Sequence, residues 1–214
     1  MIVEHFPVGL LGCNCVVLGD EATKSAVVID PGDEVDRIGD VLRRHGLKVV
    51  AIVATHAHID HVGAMARLKE VSGAPAMLHE ADLEIYRILS EQARWLGVPA
   101  PSETSIDRFL EDGARVEFGA QAIDIVHTPG HSPGSVTFVA HAESPLVIAG
   151  DTLFNGSIGR TDLWGGSFDE IMKSIRTRLL TLPEDWPVIC GHGPDTTIGR
   201  ERDTNPFLVR AEGV

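Results

Sequence analysis

The sequence predicts an α/β protein of 214 residues, a four-layer αββα sandwich in which two packed sheets are covered outside by helices. Three observations lead there. Apolar runs of strand length fall into two groups, each closed by a segment with helical spacing, and that order fits sheet on sheet with helices outside. The second half of the chain resembles the first, and the length suits a single domain over residues 1–214. Several of the apolar runs also stop at a glycine followed by a polar residue, as strands do when they end together along one functional edge.

Taken in order, residues 14–19 and 25–30 are strands of an opening hairpin, with Gly19-Asp20-Glu21 as its turn. After Pro31-Gly32, the residues Val35, Ile38, Val41 and Leu42 recur at helical spacing, and Gly46 stands where that helix would stop. The run 48–54 is a strand that feeds a bend, beyond which Val62, Met65, Leu68 and Val71 mark a helix. Residues 74–78 form the next strand, 80–96 a helical stretch, and the polar loop to Thr104 offers a place for a lid. Residues 114–127 hold two strands, with 135–140 and 146–149 as two more. A helix over 168–180 opens on Ser167-Phe168-Asp169-Glu170, a capping box, and Phe168, Ile171, Met172, Ile175 and Leu179 make an apolar stripe that belongs in the core.

Hydrophobic residues make up 43% of the chain, with 22 glycines and 12 prolines, which suits a compact globule with many tight turns. The formal charge of -13 repels a phosphate backbone, and no cluster of Lys and Arg offers a footprint for nucleic acid. No basic segment followed by an apolar one opens the sequence, and no apolar stretch approaches the roughly 18 residues of a membrane span. The expectation is a cytoplasmic protein with neither a membrane nor a nucleic-acid partner. Cys13, Cys15 and Cys190 are too few for a disulfide framework, and Cys13-Asn14-Cys15 reads as the start of a buried strand.

Chemistry concentrates in Thr55-His56-Ala57-His58-Ile59-Asp60-His61, behind the apolar run 48–54. Each of these imidazoles and the carboxylate binds a divalent transition ion when deprotonated, and residues two apart on an extended segment point the same way. His56 and His58 can therefore share one ion. Asp60 and His61 lie past the bend, face elsewhere and suit a second, and Asp60 also stands where a helix cap belongs. Three later runs deliver further donors beside glycine: Gly130-His131, Gly150-Asp151 and Gly191-His192. That makes four strand ends carrying metal-binding groups to one edge.

The pattern resembles the metallo-β-lactamase superfamily, whose signature the segment 55–61 matches. Thr128-Pro129-Gly130-His131 resembles the superfamily's third histidine station, Gly150-Asp151-Thr152 its bridging aspartate and Gly191-His192-Gly193 its last ligand. Gly159-Arg160-Thr161-Asp162 and Asn205-Pro206-Phe207-Leu208 are similar to the short, single-domain branch of glyoxalase II, which hydrolyses hydroxyacylglutathione thioesters. The resemblance implies two divalent ions, zinc or iron, with His56, His58 and His131 on one, Asp60, His61 and His192 on the other, and Asp151 bridging. It also implies a small-molecule thioester as substrate, attacked by a hydroxide held between the ions, with Asp60 and Asp151 as the catalytic carboxylates.

Around these donors, Asp30 offers either a hydrogen bond to a ligand histidine or an Asp-Pro-Gly turn. Arg160 offers a pair with a glutathione carboxylate or with Asp162 or Glu170. Ser132 reads as a turn residue, since Pro129, Gly130, Pro133 and Gly134 surround it. His5, His45, His79, His127 and His141 lack the glycine-flanked setting and read as ordinary histidines, with His127 set apart only by its closeness to His131. The rival activity in this fold is a persulfide dioxygenase with one iron on His56, His131 and Asp151. A complete second set of donors favours hydrolysis.

Overall fold

In the computed structural model, which describes residues 1–209, two six-stranded sheets form one after the other. The first takes β1 (Ile2–Val8), β2 (Cys13–Gly19) and β3 (Ser25–Ile29) as an antiparallel meander. It continues parallel through β4 (Lys48–Val53), β5 (Ala76–Leu78) and β6 (Arg108–Phe109). Parallel neighbours need a crossover. Helix α1 (Val35–His45) supplies the one from β3 to β4, and α2 (Ile59–Val62) with α3 (Met65–Ser72) the one from β4 to β5. After β5, a 3₁₀ turn at Glu80–Asp82 leads into α4 (Leu83–Tyr86) and α5 (Leu89–Leu96).

The second sheet begins with β7 (Arg115–Phe118), β8 (Gln121–His127), β9 (Val136–Ala140) and β10 (Leu146–Gly150), an antiparallel run. A small hairpin, β11 (Leu153–Phe154) with β12 (Ser157–Ile158), and α6 (Phe168–Ser174) carry the chain across to β13 (Pro187–Cys190), parallel to β10. β14 (Thr196–Thr197), α7 (Ile198–Thr204) and α8 (Pro206–Val209) follow.

Side chains alternating along each strand divide the core into three layers. Val16, Leu18, Val27, Ile29 and Val53 of the first sheet meet Phe118, Ile123, Ile125, Phe138 and Ile148 of the second. Their neighbours Val17, Ala26, Val28 and Ile52 turn outward beneath Ile38, Val41, Met65 and Leu68. On the far side, Val147, Ala149 and Val188 pack beneath Ile171, Ile175, Leu179 and Ile198. Strands covered on both faces read as continuous apolar runs, which is why β2, β4 and β10 stood out in the sequence. The four-layer αββα expectation holds.

Several local expectations need correction. The hairpin of β2 and β3 does not open the fold, because β1 precedes it; as an edge strand that contains Pro7 and buries only Phe6 and Val8, it shows no apolar run. The stretch 80–96 is not one helix but three short pieces. The helix over 168–180 is α-helical only to Ser174, and Ile175–Leu179 continues as a π-turn. Ser167 Oγ accepts from the Glu170 N–H, but the Ser167 N–H already donates to the Gly130 carbonyl at 2.8 Å. The capping box is thus half made. Phe168 (52% exposed) and Val71 (57% exposed) lie outside the core that helical spacing assigned to them.

Asp20 ties the two sheets together just past the end of β2 opposite Cys13. Its Oδ2 accepts from the Ala120 N–H in the β7–β8 turn at 2.9 Å and from the Thr23 hydroxyl at 2.7 Å. The Ala120 bond first, then the Thr23 bond, lower its carboxyl from 3.8 to about 2. A depressed carboxyl contributes stability that is present above its unfolded value and lost as pH falls through its folded one. Between pH 4 and 2, Asp20→Asn is therefore expected to flatten the decline of the urea midpoint. Identical acid limbs for the two proteins would contradict this.

Candidate metal centre

Six strand ends meet at one edge between the sheets. β3 runs into Asp30, β4 into residues 55–61, β5 into Asp82, β8 into His131, β10 into Asp151 and β13 into His192. Gly130, at φ +135°, and Gly191 permit this for different reasons. A Cβ at Gly130 would strike the Ile171 backbone nitrogen at 2.2 Å. At Gly191 the backbone is ordinary, but a Cβ would lie 2.0 Å from Asp151 Oδ1, so closeness rather than a turn demands glycine.

The seven donors named from the sequence are brought together in two groups. In the first, His131 Nε2 lies 2.9 Å from His58 Nδ1 and 3.2 Å from His56 Nε2. In the second, His192 Nε2 lies 3.2 Å from His61 Nε2 and 3.1 Å from Asp60 Oδ2. Two nitrogens at 2.0–2.1 Å from a tetrahedral zinc would sit about 3.3 Å apart, which these spacings approach. Asp151 stands between the groups, with Oδ2 3.5 Å from His131 Nε2 and Oδ1 3.4 Å from His61 Nε2. Its buried Oδ1 has no hydrogen-bond partner among the described residues. Such an orphan is costly without a cation, and the donor chemistry fits a pair of divalent ions.

Backbone and side-chain acceptors fix which ring nitrogen faces inward. His131 Nδ1 donates to the Arg160 carbonyl at 2.8 Å, His192 Nδ1 to the Leu11 carbonyl at 3.0 Å and His61 Nδ1 to Asp30 Oδ2 at 2.9 Å. The Thr55 hydroxyl donates to Asp30 Oδ2 and accepts from His56 Nδ1. In these four rings the other nitrogen faces inward, the orientation a metal requires. Burial first, then neighbouring imidazolium charge, lowers His56 and brings His58 down to about 3, so both are neutral at pH 7. Burial raises the Asp60 and Asp151 carboxyls, but the histidines outweigh it and both end below the usual range. Burial lowers His61, yet the carboxylates of Asp151, Asp30 and Asp60 carry it above its ordinary value.

Asp30, buried and held at φ +52°, is the partner of His61 and also accepts from the Thr55 N–H at 2.6 Å. Arg160 pairs with Asp162 through two bonds of 2.7 Å. His127 stacks on His79 at 4.2 Å and donates to the Pro133 carbonyl, away from the donors. Asp60 does not cap α2; His58 holds that position without a side-chain cap bond, while the Asp60 carboxylate turns to His192 and His61. Cys13 is buried in β2 as expected, although its Sγ comes within 3.4 Å of His61 Nδ1, a proximity that the 48-residue separation hid. Burial pushes the Cys13 thiol up to about 12, which leaves no thiolate nucleophile there.

Asp82 was missed. Fully buried, it accepts from the Ala57 N–H at 2.9 Å, the Ser132 hydroxyl at 2.7 Å and the Gly134 N–H at 2.6 Å. It therefore clamps the loop of His56 and His58 to the loop of His131. Ser132 does more than turn the chain, since its hydroxyl is part of this clamp. The usable signal was an acidic residue just past a strand end, which the reading of 80–96 as one helix concealed.

A cavity of about 370 Å³ opens on the centre, touching His58, Asp60, His131 and Asp151 and walled by α5 and by residues 160–164. The polar loop to Thr104 is not its lid: Val98 to Pro101 line a second hollow beside Asp60, and the Thr104 N–H donates to the Tyr86 hydroxyl. No helix among the described residues is long and apolar enough to cross a membrane.

Two sheets between helices, with histidines and aspartates collected at the sheet edge, define a metallo-hydrolase. The chain belongs to the metallo-β-lactamase superfamily, whose sequence profile matches residues 8–192. It is 39% identical to the hydroxyacylglutathione hydrolase GloC of Haemophilus influenzae, over 97% of this chain and 98% of that one. Among solved structures it resembles the B3 metallo-β-lactamase BLEG-1, with a TM-score of 0.89, 38% identity and coverage of 97% and 99%. It also resembles TTHA1623 in a di-iron-bound form, with a TM-score of 0.85, 41% identity and coverage of 97% and 100%.

Proposed function

We propose that this protein hydrolyses glutathione thioesters, releasing a hydroxy acid and glutathione, with two divalent ions, chiefly zinc, held by the seven donors. The observation that carries the reading is Asp151, whose two oxygens face separate complete donor groups while Oδ1 lacks any other partner. His56, His58 and His131 would hold one ion and Asp60, His61 and His192 the other, with Asp151 between the two groups. The full-length likeness to GloC supports a thioester, whereas the likeness to BLEG-1 makes a β-lactam the comparison substrate.

Bound ions of this kind lower the pKa of water from 15.7 to about 7 and polarise a carbonyl. The residues of the chain supply the rest. Asp30, Thr55, Leu11 and Arg160 orient the imidazoles of His61, His56, His192 and His131 with one nitrogen facing inward. Asp60 and Asp151, anionic at neutral pH, balance the cationic charge of the centre. The cavity offers a substrate carbonyl a place beside His131 and Asp151.

The deciding test loads purified protein with zinc or iron, measures metal per chain, and assays S-lactoylglutathione cleavage, nitrocefin cleavage and oxygen uptake with glutathione persulfide. Two ions and thioester cleavage are expected. One iron with oxygen uptake would replace the proposal with a mononuclear dioxygenase, a reading that leaves Asp60 and His192 without a role. An ion that binds only the folded chain adds about 2.7 kcal/mol at a hundredfold excess over Kd. Chelation is accordingly expected to lower the melting temperature by about 5–10 °C. An unchanged melting curve after verified metal removal would show that the site is not coupled to folding.

A further inference from the structure

Two indoles stand at the mouth of the metal cavity. Trp95, on α5, and Trp164, in the segment after β12, stack with ring centroids 6.0 Å apart and planes 14° apart. They come from the two halves of the chain and line the same cavity as His58, His131 and Asp151. Although they touch each other, Trp95 remains 76% exposed and Trp164 54%. Neither belongs to the three core clusters, so packing of the fold does not account for them. A pair of exposed indoles beside a reactive centre is the kind of apolar surface that marks a ligand site.

The charges around the pair decide which part of a thioester they meet. Of the two arginines on this cavity, the Arg160 guanidinium is held by Asp162, which leaves Arg94 to meet a carboxylate. Glutathione carries two carboxylates, more than this one arginine can pair. An apolar group finds Leu11, Ile85, Leu96 and Leu163 beside the indoles.

We propose that Trp95 and Trp164 form an indole platform that receives the acyl arm of the thioester and selects acyl groups that are bulky and apolar or aromatic. The proposal deepens the thioester reading and rests on it for the identity of the reacting bond. A lactoyl group, with only a methyl beyond its hydroxyl-bearing carbon, leaves the platform uncovered. A mandeloyl group places a phenyl ring there instead.

The test compares kcat/KM of the metal-loaded protein on S-mandeloylglutathione and S-lactoylglutathione, which share the thiol so that their ratio reports the acyl arm alone. Both indoles are exposed, so Trp95→Ala and Trp164→Ala are expected to fold, with the melting temperature as the check. The mandeloyl-to-lactoyl ratio is expected to favour mandeloyl in the parent and to fall about tenfold in either variant, the scale of one aromatic contact. Trp95→Phe is expected to restore most of it. A ratio that is the same in parent and variants overturns the platform while leaving thioester hydrolysis intact. If the parent cleaves neither thioester, the thioester reading falls, and binding decides the platform: quenching of tryptophan fluorescence by S-benzylglutathione against S-methylglutathione. Tighter benzyl binding that is lost in Trp95→Ala sustains it, and equal affinities overturn it.

Discussion

Replacing Asp60 by alanine is expected to lower thioester turnover by about a hundredfold or more and to bring bound metal from two ions towards one. Loss of a partner one layer further out already costs ten- to a hundredfold in metal affinity, and Asp60 faces the centre directly. Among the described residues its carboxylate pairs with the nitrogens of His192 at 3.1 Å and His61 at 3.7 Å, so the change removes a donor from one group and leaves His56, His58 and His131 untouched. The fold is expected to survive, because no backbone N–H of another element depends on this side chain. Metal analysis by mass spectrometry and steady-state kinetics on the same sample read both effects. Full turnover with a single ion bound would mean that the Asp60–His61–His192 group is dispensable, and the dinuclear mechanism would then be wrong.

Asp82→Ala is expected to produce the largest loss of stability, about 3 kcal/mol or more, although this residue touches no proposed ligand side chain. Three buried donors, the N–H groups of Ala57 and Gly134 and the hydroxyl of Ser132, would lose their acceptor, and each unsatisfied group costs about 1–3 kcal/mol. The Ser132 hydroxyl can still turn to Ser135 Oγ at 2.8 Å, which makes the two backbone groups the main penalty. Since these groups hold the loops of His56, His58 and His131 in register, metal affinity is expected to fall with stability. Asp82→Asn is no rescue, because its amide would present hydrogens to donors. Urea unfolding of the metal-free proteins isolates the stability effect, and a difference below about 1 kcal/mol would show that the clamp is not holding the loops.

Much of the centre was legible because its donors follow local rules. His56 and His58 stand two apart behind β4, and Asp60 and His61 follow as the chain turns into α2. His131, Asp151 and His192 each follow a strand and a glycine. Those are statements about neighbours in sequence, and residue type with spacing expresses them directly. The buried strands were legible for a related reason, since cover on both faces leaves an unbroken apolar run. The edge strand β1 and the small β6 and β14 were not, because partial burial leaves no such run.

By itself the sequence determined the four-layer arrangement and the set of candidate donors, through apolar period and donor chemistry within short segments. Only the tertiary structure decided that Asp30 serves His61 rather than merely turning the chain, that Arg160 is spent on Asp162, and that Asp82 joins two loops. It alone brought Trp95 beside Trp164. The physical reason is distance along the chain. Asp30 and His61 are 31 residues apart, and Asp82 and Ser132 are 50 apart. Such pairs are made by the closure of one sheet on the other, and no periodicity within a segment records which residues that closure will set face to face.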